Sequence, residues 1–180
     1  MTPMSLLHPA AATDKDPMAN MPAIFREYKR LERLREKDGL TLAEIESWTR
    51  LKRILAAHFR PDTDDALADK QASLRVPYRV RVAFESVGEL RQCLMLNISR
   101  GGVFLATPKP LPIGTRLLLR LQIGDGRSVE LGGEVASVNT GIDLRSEAEG
   151  MGVSFTMLSD EQQKIVNELY GRAMDEVLEG

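Results

Sequence analysis

An amide, a hydroxyl and two glycines fall within six residues at Asn97-Ile98-Ser99-Arg100-Gly101-Gly102. They lie between the apolar run Cys93-Leu94-Met95-Leu96 and the β-rich run Val103-Phe104-Leu105-Ala106. Asn and Gly tolerate positive φ, and Asn and Ser bond nearby backbone, so the segment reads as a tight turn between strands. On an extended backbone the Asn97 and Ser99 side chains, two residues apart, point the same way. Gly101 and Gly102 leave room for a ligand to come close. Such a set could clasp a base edge or a phosphate; the alternative is a hairpin turn with no ligand.

Covalent and metal chemistry find no comparable set. Ser99 has no histidine partner, since His58 lies ahead of an acidic linker and His8 near the start of the chain, and no pair of acids marks a cleft. Neither histidine is accompanied by clustered Cys or acidic residues at zinc-ligand spacing. The sequence therefore reads as non-enzymatic, with no catalytic residues, no metal and no cofactor. Cys93, the one cysteine, cannot form an internal disulfide, which fits a reducing compartment, and it reads as a small apolar strand residue.

Charge narrows the partners. Lys and Arg total 24 against 26 Asp and Glu, for a net charge of -2, so no global basic field draws the chain to a nucleic-acid polymer. An aromatic content of 5% argues against an RNA-binding barrel, which stacks bases on exposed rings. No apolar run approaches the roughly 20 residues of a membrane span, and residues 1–20 lack the basic start and apolar core of a signal peptide. The expectation is a cytoplasmic protein without a membrane span.

The elements that must position the turn follow from periodicity. Residues 1–21 have no sustained pattern and are expected to be a disordered leader. A helical hairpin is expected over 22–60. Its first helix carries Ile24, Phe25, Tyr28, Leu31 and Leu34 at helical spacing up to Asp38-Gly39, and its second opens at the capping box Thr41-Leu42-Ala43-Glu44. Ile45, Trp48, Leu51, Ile54, Leu55 and Phe59 continue the apolar side of the second helix. The short connection makes the two helices antiparallel, with faces left to pack on the following domain, a second copy or a partner.

Arg26, Arg30, Arg33 and Lys37 form a cationic stripe on the first helix. It reads either as a solvated face, since Glu27, Glu32 and Glu36 interleave, or as a patch for an acidic partner, nucleic acid or anionic lipid. Residues 61–69 read as an acidic linker. Over 70–180, six short strands with tight turns suggest an antiparallel barrel or sandwich. The strands are expected from Tyr78, 90–96, 102–106, 116–123, 128–139 and 151–156, and a helix follows from the capping box Ser159-Asp160-Glu161-Gln162.

Residues 70–170 resemble the PilZ domain, a six-stranded β-barrel family whose characterised members bind cyclic di-GMP. Asn97, Ser99 and Gly102 match the family's Asp/Asn-x-Ser-x-x-Gly motif, and Gly150-Met151-Gly152-Val153-Ser154-Phe155 looks like its closing strand. The resemblance implies a mainly β fold: a PilZ-type barrel with a C-terminal helix, preceded here by the α-helical hairpin. It also implies an Arg-x-x-x-Arg pair ahead of the first strand. Read literally, that pair is Arg75 and Arg79. In a second register Arg75 is the later arginine and Gln71 stands in the first position beside Lys70. Losing a charged phosphate contact there would cost roughly 1.5–3 kcal/mol.

Two uses of the fold remain. In one, Arg75, Asn97, Ser99 and Gly102 contact cyclic di-GMP, with Lys70, Gln71, Arg79 and Arg100 as further candidates, and the helices at 22–59 pass the signal to a protein partner or by self-association. The resemblance places that output in motility, polarity or surface behaviour. In the other, a degenerate domain binds no nucleotide and serves as a protein-interaction adaptor.

Overall fold

The computed structural model describes residues 20–59, 73–123, 126–140 and 148–179. The leader up to residue 19, the acidic linker at 61–69, and Lys70 and Gln71 lie outside the described residues.

Helix α1 (Met21–Lys37) begins with proline in its first turn, where the missing N–H has no intrahelical partner to lose. Helix α2 (Leu42–Phe59) opens on the expected capping box. There the Thr41 N–H and hydroxyl donate to Glu44 Oε2 at 2.9 and 2.8 Å, and the Glu44 N–H donates back to Thr41 Oγ1 at 3.4 Å. The helices are antiparallel: Phe25, near the start of α1, meets Phe59, at the end of α2, edge to face at 5.8 Å. Trp48, Leu51 and Leu55 are buried, whereas Ile45 and Ile54, expected on the same apolar side, are exposed. Lys52 takes the buried place beside them, with its ammonium 4.5 Å from the centre of the Trp48 ring.

Six strands close into an antiparallel barrel in the order β1-β2-β3-β6-β5-β4. They are β1 (Val76–Ser86), β2 (Glu89–Ser99), β3 (Gly102–Ala106), β4 (Arg116–Gln122), β5 (Ser128–Asn139) and β6 (Gly150–Phe155). Alternation drives closure, since Phe84, Met95, Leu105, Leu119, Leu131 and Val153 all point into one core with almost no exposure. Closing β1 onto β4 pairs Val82 with Leu121 and Phe84 with Leu119, which removes the free edge of the sheet.

Helix α3 (Asp160–Glu179) starts on its own capping box, in which the Ser159 N–H donates to Gln162 Oε1 at 2.9 Å and the Gln162 N–H donates to Ser159 Oγ at 3.2 Å. Gln162 Nε2 also donates to the Glu130 carbonyl at 2.8 Å, fixing the helix to β5. Its apolar side, with Val166, Leu169, Tyr170, Ala173 and Met174, is buried. No described helix is long and apolar enough to cross a membrane.

One expectation changes at the turn. Asn97, Ile98 and Ser99 belong to β2 and Gly102 opens β3, so the turn proper is Arg100-Gly101. The register slips by one residue between Met95 and Asn97 against β3, and between Pro77 and Val80 of β1 against β2. Met95 and Ile98 are consequently both inward though three residues apart, as an added residue in one strand dictates. Sequence alternation alone does not reveal a bulge, which is why the strand appeared to stop early.

Gly102 must be glycine because of a neighbouring strand rather than the turn. A Cβ there would sit 2.2 Å from the Val153 carbonyl oxygen of β6, whereas one on Gly101 would meet nothing within 4 Å. Gly102→Ala is therefore expected to cost about 1–3 kcal/mol in urea denaturation as β3 is pushed from β6, with Gly101→Ala close to neutral.

Candidate functional site

The site is built where the chain enters the barrel, against the Arg100-Gly101 turn. Ser73, Leu74 and Arg75 precede β1, and each is fastened. The Arg100 N–H donates to Ser73 Oγ at 3.0 Å, and Arg75 Nη1 donates to Asn97 Oδ1 at 3.1 Å. Between them the Leu74 backbone is held from two helices: its N–H donates to Tyr28 Oη of α1 at 3.2 Å, and its carbonyl accepts from Tyr170 Oη of α3 at 2.9 Å. A buried peptide with both groups satisfied by tyrosines is a fixed point, because losing either bond would leave a polar atom unpaired.

Asn97 is half-buried on β2, and Ser99 is buried, with its hydroxyl donating to the Gly102 carbonyl at 3.3 Å. The amide is thus already bonded to a guanidinium and the hydroxyl closes its own turn. Arg79 is exposed on β1, within the stretch where the register slips. Among the candidates expected from the sequence, Arg75, Asn97, Ser99, Gly102 and Arg100 come together; Lys70 and Gln71 lie outside the described residues.

Arg100 has a further set of neighbours. Its guanidinium pairs with Glu36 and lies 3.6 Å from Glu32, both on α1, and sits 5.3 Å from the centre of the Tyr170 ring on α3. Glu32 has no solvent exposure and gathers donors from three directions. Trp48 Nε1 donates to it at 2.8 Å and Tyr28 Oη at 3.4 Å, while Arg35 Nε lies at 3.3 Å. The arginine beside Ser99 is therefore the contact between the motif turn and the hairpin.

Burial is the main cause that lifts the Tyr28 and Tyr170 phenols above the ordinary tyrosine value; the Glu32 carboxylate adds to both, and Tyr28 adds to Tyr170. Burial alone pushes the Cys93 thiol, half-buried on β2, up to about 11, so it is protonated and unreactive at neutral pH. Among the described residues no group of three or more His, Cys, Asp or Glu could hold a metal ion.

A PilZ domain family model matches residues 69–171, more than half of the chain. The chain belongs to the PilZ domain family. Solved PilZ structures similar to it include the PilZ domain of YcgR from Escherichia coli with c-di-GMP, at 16% identity, covering 61% of this chain and 95% of that one with a TM-score of 0.49. Also similar is the structure of the Bacillus subtilis inhibitor of motility MotI/DgrA, at 20% identity and TM-score 0.48, covering 59% of this chain and 53% of that one. The chain thus spans about half the length of that relative. A third is a tetrameric PilZ protein from Xanthomonas campestris, self-assembled through a helical bundle, at 18% identity, covering 94% of this chain and 83% of that one with a TM-score of 0.40. A comparison with the curated proteins finds no match.

Sequence reading missed Tyr28, Glu32, Ser73 and Tyr170 as parts of this neighbourhood. The two tyrosines carried a signal, since a phenol on an otherwise apolar helix face must find a hydrogen-bond partner when buried. Glu32 carried none beyond standing four residues after Tyr28.

Two tests follow from the network. A tyrosine whose folded pKa is raised stabilises the fold below its unfolded value of about 10 and loses that contribution as pH climbs through the folded value. Phenolate absorbance is therefore expected to stay low well above that pH and then to rise together with unfolding, and Tyr170→Phe to lower stability by about 1–3 kcal/mol through the orphaned Leu74 carbonyl. Glu32→Gln is expected to cost a similar ~1–3 kcal/mol and to shift the emission of Trp48, the single tryptophan, in fluorescence.

Proposed function

We propose that the chain is a cyclic di-GMP-responsive regulator that acts through protein contacts. Nucleotide bound by Arg75, Asn97, Ser99 and Gly102 would change how the hairpin sits, in the control of motility, polarity or surface behaviour. The observation that carries the reading is the Arg75 to Asn97 bond, 3.1 Å long, which joins the arginine of the incoming segment to the intact Asn-x-Ser-x-x-Gly motif. A planar guanidinium beside an amide offers forked donors to a phosphate and a polar edge to a guanine. Arg100 supplies the link to the helices, because the same residue that follows Ser99 is ion-paired with Glu32 and Glu36 of α1. The YcgR PilZ domain structure holds c-di-GMP, and that ligand is carried to this chain as part of the proposal.

A second reading, a PilZ domain that binds no nucleotide and works as an adaptor, is favoured by Gln71, which supplies no charge at the first position of the Arg-x-x-x-Arg pattern in one register. Calorimetry of the full chain separates them. The receptor reading expects weak but specific heats with cyclic di-GMP, absent with GMP, and about tenfold weaker in Asn97→Ala. Gln71→Arg is expected to tighten binding by one to two decades, about 1.5–3 kcal/mol, with Arg79→Ala unchanged. Heats equal to those with GMP would overturn the receptor reading.

A further inference from the structure

The cationic stripe of α1 was readable as a solvated face because three glutamates interleave with it. The four cations are exposed, and the fold draws two of those glutamates away from them. Glu32 is buried on the barrel side, with its oxygens turned to Tyr28, Trp48, Arg35 and Arg100, and Glu36 pairs with Arg100. Only Glu27 stays with the stripe, bonding Arg30 at 2.7 and 2.9 Å.

Across from it, Asp175 of α3 pairs with Lys29, and Glu179 also acts on Lys29 electrostatically. Arg26, Arg33 and Lys37 make no ion pair among the described residues. Crowding of positive charge is visible at Lys29, whose pKa is lowered first by burial and then by the Arg33 guanidinium.

These cations do not stand on a flat face. Arg26, Lys29, Arg30, Arg33 and Lys37 line a cleft of about 440 Å³ between α1 and the C-terminal end of α3, and Leu34 and Leu178 add an apolar contribution. From Arg26 to Lys37 the helix runs about 16 Å, at 1.5 Å per residue, so the cleft offers a line of charge rather than a point. A bilayer fits poorly, because membrane-binding helices insert protruding apolar side chains, whereas Leu34 and Leu178 are half-buried within a concavity. A nucleic-acid strand would want aromatic rings to stack on, and Phe25 and Tyr28 of this helix are buried in the core. An acidic stretch of polypeptide matches both the sign and the shape.

We propose that the cleft between α1 and α3 docks an acidic segment of a partner protein, with Arg26, Arg33 and Lys37 as the cations it neutralises. This deepens the output half of the proposed function and rests on the reading that the chain acts through protein contacts, but it does not require nucleotide binding.

The test is fluorescence anisotropy of labelled poly-L-glutamate titrated with the full chain, without nucleotide. Saturable binding that weakens with salt is expected, reduced about tenfold by Arg33→Glu or by Lys37→Glu. Arg127→Glu, which makes the same charge change at an exposed position just before β5, is expected to leave it unchanged. Both cleft substitutions are at exposed residues, and Trp48 emission together with thermal melting verifies that each variant folds.

Absence of binding, an equal loss in Arg127→Glu, or no loss in either cleft variant would overturn the proposal. So would capture by phosphatidylglycerol vesicles or RNA in preference to polyglutamate. Because no nucleotide is present, a silent calorimetric titration with cyclic di-GMP leaves this result standing, and the reverse holds as well.

Discussion

A carboxylate with no access to solvent, Glu32, sits where the two hairpin helices meet the turn between β2 and β3. Burying an ionised carboxyl is costly unless donors and cations surround it, and an incomplete set is worse than an apolar replacement. Here four residues from three places surround it: Tyr28 and Arg35 on its own helix, Trp48 on α2, and Arg100 on the turn between β2 and β3. Folding of the hairpin by itself supplies the hydrogen bonds to Glu32, and the Arg100 guanidinium, 3.6 Å away, adds the charge contact that reaches the barrel. A hydrophobic face could slide; a carboxylate with several directional partners holds one arrangement.

The same neighbourhood holds the segment that leads into β1. Tyr28 bonds both Glu32 and the Leu74 N–H, and Tyr170 takes the Leu74 carbonyl while its ring lies beside Arg100. Arg75 follows directly and meets Asn97. The residues of the proposed nucleotide site are thus held by α1, α3 and the β2–β3 turn together. Arg100 and Leu74 are the residues through which this neighbourhood touches the helices.

Arg100 also shapes the charge of the opposite side of α1. By engaging Glu32 and Glu36 it withdraws two of the three negative charges that interleave with the stripe in sequence. Charge pairing within the helix would have left the stripe neutralised, since i,i+3 and i,i+4 partners are in reach. The tertiary pairing leaves Arg26, Arg33 and Lys37 without an ion pair among the described residues, beside a cleft in which Glu27 holds Arg30 and Asp175 holds Lys29. One arginine on a turn thereby connects the motif, the hairpin and the surface charge.

The sequence by itself determined the secondary structure closely wherever local physics decides it. Alternating apolar residues specified the strands, the boxes at Thr41–Glu44 and Ser159–Gln162 specified where α2 and α3 begin, and the Asn97, Ser99, Gly102 and Gly150–Phe155 motifs pointed to the barrel family. Only the tertiary structure decided the bulges near Asn97, which shift strand register against neighbours distant in the chain. It alone gave Gly102 its reason, a carbonyl on β6. It also decided the charge contacts beyond the local Glu27–Arg30 and Glu32–Arg35 pairs, because Glu32 and Glu36 meet Arg100, more than sixty positions away. Local pattern reports which side chains share a face, while charge compensation and close packing depend on contacts that exist only once the chain has folded.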